Sequence, residues 1–258
     1  MSQLETQCLH AGYEQAEATT KSHAAPLYRT TSYRFDSTEH ANNLFTLKEL
    51  GNIYTRLMNP TTDILEQRVA ALDGGAAALA LASGTSAAFY SIINLASKGD
   101  EIVSANNLYG GTYTQFNDIL PAMGITVKMV DPLNPDNFAA AITDKTKALY
   151  CEVVGNPLLD LVDLQAIGDI AHSHGLPLIV DATFSTPALC RPLEHGADIV
   201  IHSLTKWLGG HGAVIGGIVV DSGKFDWTTG KHPLLSDPEP SYWNTSFAND
   251  LGDLAPLA

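Results

Sequence analysis

From residue 78 onward the chain repeats one pattern: a short apolar run closed by Gly, Pro, Asn or Asp, then a longer segment with helical spacing. The runs fall at 78–82, 101–104, 125–130, 148–154, 177–181 and 198–202, with amphipathic segments such as 85–96 and 163–174 between them. Strand-length runs alternating with helices predict parallel crossover units, hence an α/β fold with a mostly parallel sheet and helices on both faces. Ahead of them, Ile64, Leu65, Val69 and Leu72 recur at helical spacing from Asp63, and Gly74-Gly75 stops that helix. The first fifty or so residues read as an irregular arm, since Thr19, Thr20 and Pro26 interrupt any period. A length of 258 residues allows one large domain, or a large domain plus an appendage.

In open α/β sheets ligands collect beyond the carboxyl ends of the strands, so the residues just after each run carry the functional reading. Ser83-Gly84-Thr85-Ser86 opens a helix; its free backbone N–H groups and helix dipole suit an anion, and a plain helix cap by Ser83 or Thr85 is the alternative. Leu108-Tyr109-Gly110-Gly111-Thr112 puts a Tyr on a Gly-rich turn, where its ring either lies on a planar ligand or covers the core edge. Asn156, ahead of Pro157, either orients a ligand oxygen or belongs to an ordinary turn. Asp181 ends a buried apolar strand ahead of Ala182-Thr183; having lost hydration it needs a partner, either a protonated ring nitrogen or a structural donor. Ser203-Leu204-Thr205-Lys206 sets a Lys after two hydroxyls in an apolar, Gly-rich context, unlike a solvated face. A desolvated amine is a usable nucleophile, and the hydroxyls can donate to a phosphate beside it.

An anion pocket, an aromatic plate, a carboxylate and an amine together fit one planar, phosphorylated aldehyde with a ring nitrogen, pyridoxal phosphate. The rival motifs fail. Gly210-His211-Gly212 with Gly216 misses the dinucleotide spacing, and no Gly-x4-Gly-Lys-Ser/Thr loop occurs. His172, His174, His195 and His202 lack the His-Glu-x-x-His spacing of a zinc site, so the histidines read as structural or surface residues and no metal is expected. A formal net charge of -14 argues against nucleic acid as a partner. Cys8, Cys151 and Cys190 are too scattered for a disulfide framework. No run approaches the roughly 20 apolar residues of a membrane helix, and the first ten residues have no secretory pattern, so a cytoplasmic protein is expected.

The segments Leu9-His10-Ala11-Gly12, Tyr54-Thr55-Arg56-Leu57-Met58-Asn59-Pro60-Thr61, Tyr109-Gly110-Gly111-Thr112, Asp181-Ala182-Thr183 and Ser203-Leu204-Thr205-Lys206 resemble the cystathionine synthase and lyase family of trans-sulfuration enzymes. Gly209-Gly210-His211-Gly212 through Gly217, then Gly223-Lys224-Phe225-Asp226-Trp227, resembles its O-acetylhomoserine sulfhydrylase branch. The resemblance implies fold type I of pyridoxal-phosphate enzymes and a homotetramer built as a dimer of dimers. Residues 1–60 would be an arm serving the neighbouring subunit and 61–258 the large cofactor-binding domain. The family's smaller C-terminal domain, with the Arg that clamps the substrate carboxylate, has no counterpart here. The resemblance implies that Lys206 carries the cofactor, Tyr109 stacks on its ring and Asp181 meets its nitrogen. Ser83, Gly84, Thr85, Ser203 and Thr205 would hold the phosphate, with Thr183 beside them and Asn156 near the ring hydroxyl. Tyr54 and Arg56 would reach the neighbouring subunit's phosphate site. Thr85 departs from the Met or Gln of many relatives but keeps the backbone donor. The implied reaction is γ-replacement on O-acetyl-L-homoserine by sulfide or a thiol, with catalytic roles for Lys206, Tyr109 and Tyr54. A methionine γ-lyase, a cystathionine γ-synthase or lyase, or an inactive cofactor-binding fragment are the alternatives.

Overall fold

The computed structural model describes residues 3–251. At its centre lies one seven-stranded sheet in the order β1-β7-β6-β5-β4-β2-β3. The strands are β1 (Ala77–Leu81), β2 (Glu101–Ala105), β3 (Thr126–Val130), β4 (Thr146–Glu152), β5 (Leu178–Asp181), β6 (Ile199–Ser203) and β7 (Gly217–Asp221). Every expected run is a strand, its ends shifted by one or two residues. β7 goes beyond the sequence reading. It runs antiparallel to both β1 and β6, and the remaining neighbours pair in parallel. Its run, Ile218-Val219-Val220, follows the Gly-rich stretch 209–217 with no helix between, so the alternation that betrays the other strands is missing.

The helices that frame the sheet are α1 (Leu4–His10), α2 (Thr38–Phe45), α3 (Pro60–Asp73), α4 (Gly84–Ile93), α5 (Gly110–Thr114), α6 (Leu120–Ala122), α7 (Asp136–Ala141) and α8 (Leu164–Ser173). α5 runs into α6 through a π turn, Gln115–Ile119. α3 begins three residues before Asp63, because Asn59 caps it by accepting the Thr61 N–H at 2.9 Å and Pro60 fits its first turn. It ends at Gly74, whose φ of 77° is the left-handed conformation glycine adopts at little cost. Two neighbours on β6 show that helices cover both faces. A Cβ on Gly84 of α4 would lie 2.6 Å from Ser203 Cβ, while His202 Nε2 meets Asp73 Oδ2 of α3 at 2.8 Å. Adjacent strand residues point to opposite faces, so α3 and α4 flank the sheet on opposite sides.

The first fifty residues are less irregular than expected. α2 forms because Ser37 accepts the His40 N–H at 3.0 Å, a local cap lying past the interruptions at Thr19, Thr20 and Pro26. The arm is fastened to α3: Arg68 Nε donates to Ala11 O at 2.8 Å, and Thr61 Oγ1 to Pro26 O at 2.9 Å. The last seven residues of the expected 61–258 domain, 252–258, lie outside the described residues.

Leu149, Leu178, Ile179, Val180, Val200 and Ile201 in β4 to β6 are wholly buried, each contributing about 1.5–3 kcal/mol. They make the strand ends a rigid platform. From β2 the chain steps outward to β3, then returns to the other side of β2 as β4. That reversal is the switch point where an open sheet leaves a crevice at its carboxyl edge.

Candidate active site

A cavity of about 540 Å³ opens at this carboxyl edge, within the range of small-molecule sites. It gathers Ser83, Gly84, Thr85, Tyr109, Asn156, Asp181, Thr183, Ser203, Thr205 and Lys206 from five strand ends. All the expected site residues except Tyr54 and Arg56 are therefore brought together. Those two sit on the arm, both exposed, with the Arg56 guanidinium carbon 5.9 Å from the Tyr54 ring centre.

Ser83 caps α4, its Oγ accepting the Ser86 N–H at 3.1 Å. The start of α4 is wedged against the sheet by two close backbone approaches. Besides the Gly84 contact with Ser203, a Cβ on Gly217 would lie 2.0 Å from Ser83 O. Only glycine fits at both positions, and their smallness lets the helix N-terminus, with its unpaired N–H groups, face the cavity.

Asp181 is partly buried. Burial pushes its carboxyl above the usual range, against the pull of the Thr183 hydrogen bonds and the His202 charge. The Thr183 N–H reaches Asp181 Oδ1 at 2.9 Å, and Thr183 Oγ1 accepts the Ser203 N–H at 2.8 Å, which ties the ends of β5 and β6 together. Thr205 Oγ1 donates to Gly216 O at 3.2 Å and accepts the Gly216 N–H at 3.1 Å. Its hydroxyl thus braces the Gly turn, where the sequence reading had it donating into the site. Lys206 follows in the turn after β6, its N–H reaching Ser203 O at 3.2 Å. The expectation of a desolvated amine is not met: Lys206 is exposed, because the turn lies at the open rim of the cavity. Trp207 and Phe184, edge to face at 6.4 Å, wall the same side.

Tyr109 is 47% exposed, so its ring lies on the cavity rather than over the core. A Cβ on Gly111 would come within 2.6 Å of its Cε1, so the ring rests directly over that glycine.

Glu152 is the residue that sequence reasoning missed. It lines the cavity, is 5% exposed, and accepts the Tyr109 N–H on Oε1 at 2.7 Å. Burial first, then the Asp181 charge, push its carboxyl up to about 8, against the pull of the Tyr109 N–H. The rule that singled out Asp181, an acid ending a buried strand, applied to Glu152 as well. Reading that run on to Val154 hid it.

His172 and His202 pair with acids, while His174 and His195 are exposed. His172 Nε2 meets Asp198 Oδ2 at 2.9 Å, and His202 pairs with Asp73. Among the described residues no His, Cys, Asp and Glu group has the arrangement of a metal site, and no helix is long and apolar enough to cross a membrane.

The chain is 53% identical to the O-acetyl-L-homoserine sulfhydrylase of Leptospira meyeri, over 98% of this chain and 57% of that protein. It is 51% identical to the homocysteine synthase of Schizosaccharomyces pombe, over 98% of this chain and 59% of that protein. It thus spans about three fifths of the length of these relatives. A solved Campylobacter jejuni chain, described as an O-acetylhomoserine (thiol)-lyase with N'-pyridoxyl-lysine-5'-monophosphate, superposes with a TM-score of 0.94 at 36% identity. That match covers 99% of this chain and 64% of the other. The family model for Cys/Met metabolism PLP-dependent enzymes matches residues 5–238, and the chain belongs to that family.

Proposed function

We propose that this chain is the cofactor-binding part of an enzyme that replaces the acetoxy group of O-acetyl-L-homoserine with sulfide or a thiol, releasing acetate and giving homocysteine or methionine. The observation that carries it is one cavity shared by the start of α4, Asp181, Tyr109 and Lys206. Relatives named for that reaction align over nearly the whole chain.

The donor set fits pyridoxal phosphate. The glycine-lined N-terminus of α4 and the Ser203 hydroxyl suit a dianionic phosphate, Asp181 suits a ring N–H, and Lys206 suits an aldehyde. When bound, the cofactor supplies an aldehyde for an amine and a ring that withdraws electrons from the carbon bearing that amine. The chain does the rest. Asp181, held by Thr183 and short of water, would keep a proton on the ring nitrogen. Tyr109, lining the cavity, would restrain the ring. The Lys206 amine would be placed to take up the α-proton on Nζ and to return it. Thr85 would offer its backbone N–H, and Asn156 would orient a ring oxygen.

Tyr54 and Arg56, exposed and outside their own cavity, serve a neighbouring subunit in our reading, with a tetramer built from such dimers. Residues 1–60 act as the arm and 61–258 as the large domain. Exposed Leu9, Leu27, Leu50 and Leu57 on the arm support a protein partner there. The cytoplasm is the proposed compartment, which suits three unpaired cysteines. The test is product analysis of the purified chain with pyridoxal phosphate and O-acetyl-L-homoserine. Homocysteine and acetate that appear only with sulfide support the reading, whereas a 2-oxo acid and ammonia formed without a thiol would replace it with a lyase.

A further inference from the structure

We propose that Glu152 is a positioning residue of this site, a neutral carboxyl whose oxygen fixes Tyr109 and whose neutrality leaves Asp181 as the cavity's one anion. The inference rests on the reading that the cavity holds pyridoxal phosphate.

Glu152 ends β4 in register with Asp181 at the end of β5. Paired positions of neighbouring strands lie about 4.8 Å apart and share a face of the sheet, and both side chains line the cavity. The charge of Asp181 raises the Glu152 carboxyl further, as like charges that share a partly dry site favour one protonated carboxyl. Asp181 has the Thr183 N–H and the charge of His202 on β6 to favour its anion. Glu152 has only the Tyr109 N–H against its burial and the Asp181 charge, and is pushed up to about 8. The other titratable groups around it are Tyr109 from the loop after β2, Tyr150 and Cys151 on its own strand, and Lys206 in the same cavity. Burial pushes Tyr150 and Cys151 well up, so neither competes for charge at neutral pH.

The same carboxyl locates the aromatic plate. Tyr109 stands at the start of α5 with no side-chain cap, and its N–H is held by Glu152 Oε1. Two residues earlier, Asn107 O accepts the Asn156 N–H at 3.1 Å. The loop is thus pinned at Tyr109 to the last residue of β4 and at Asn107 to the segment that follows it, with the Tyr109 ring seated on Gly111. A neutral amide at 152 keeps the acceptor oxygen, whereas alanine removes it.

The test has two arms on the full chain. Without cofactor, the infrared difference between wild type and Glu152→Gln is expected to show a protonated-carboxyl band at pH 7 that fades above about pH 8. With pyridoxal phosphate, followed by quenching of tryptophan emission, Glu152→Gln is expected to bind within about threefold of wild type. Glu152→Ala should bind at least tenfold more weakly, about 1.4 kcal/mol. If Glu152→Ala fails to fold, the wild type and Glu152→Gln pair decides alone. A missing carboxyl band at pH 7, or Glu152→Gln tenfold weaker than wild type, overturns the proposal. A wild-type chain that shows the band but takes no pyridoxal phosphate overturns the cofactor reading, and the positioning role with it.

Discussion

His202 and Asp73, 129 residues apart, form a pair with no exposure on either side. Removing one partner leaves the other buried and unpaired, so His202→Ala is expected to lose about 3–5 kcal/mol in urea unfolding. A loss below about 1 kcal/mol would contradict that account of the pair. On the cavity side of the sheet, Asp181→Asn keeps the shape but not the charge. Its affinity for pyridoxal phosphate should fall at least tenfold, about 1.4 kcal/mol, in a binding titration. At this scale the sequence was informative wherever a polar residue closed an apolar run, as with Asp181 and Ser203. It passed over Glu152, because a run read on to Val154 hid an acid that ends its strand, and the register of that acid with Asp181 is set by strand pairing. It misjudged the setting of Lys206, because the exposure of a turn depends on how wide the cavity opens.

Among the elements, α4 has the tightest placement. Gly84→Val would force its side chain into Ser203, against both Cβ and Cα, and α4 could accommodate it only by lifting off β6. Overpacking of this kind costs about 1–3 kcal/mol, and the anion-facing helix start would move with it. The variant is expected to melt earlier than wild type and to bind inorganic phosphate and pyridoxal phosphate more weakly. Unchanged phosphate binding would show that this helix start is not the anion site. Most strands were legible from their runs, and α3 from its apolar spacing. β7 was not, because its place between β1 and β6 depends on partners distant in sequence. Nor was α2 read, since one cap at Ser37 carries its start within an otherwise aperiodic stretch.

Across the whole molecule, burial is the first cause raising the carboxyls of Glu66, Glu152, Asp181, Asp198 and Asp221 above their ordinary range. Such groups bind more protons folded than unfolded, so the stability they contribute is present at low pH and lost as pH rises through the folded value. For Glu152 that window runs from 4.5 to about 8. The formal net charge of -14 at pH 7 acts in the same direction. The melting temperature is therefore expected to fall from pH 6 to pH 8.5, and by less in Glu152→Gln. At this chain length each kcal/mol corresponds to about 2–4 °C. A midpoint that rises over that range would contradict the assignment of these carboxyls.

In the proposed site, Lys206 meets the aldehyde of pyridoxal phosphate. The direct measurement is to incubate the chain with the cofactor, reduce the amine–aldehyde linkage with borohydride and map the modified peptide by mass spectrometry. One pyridoxyl-phosphate adduct is expected, on Lys206, and it is lost in Lys206→Ala. Label spread over other lysines, or an adduct that persists in Lys206→Ala, would contradict it.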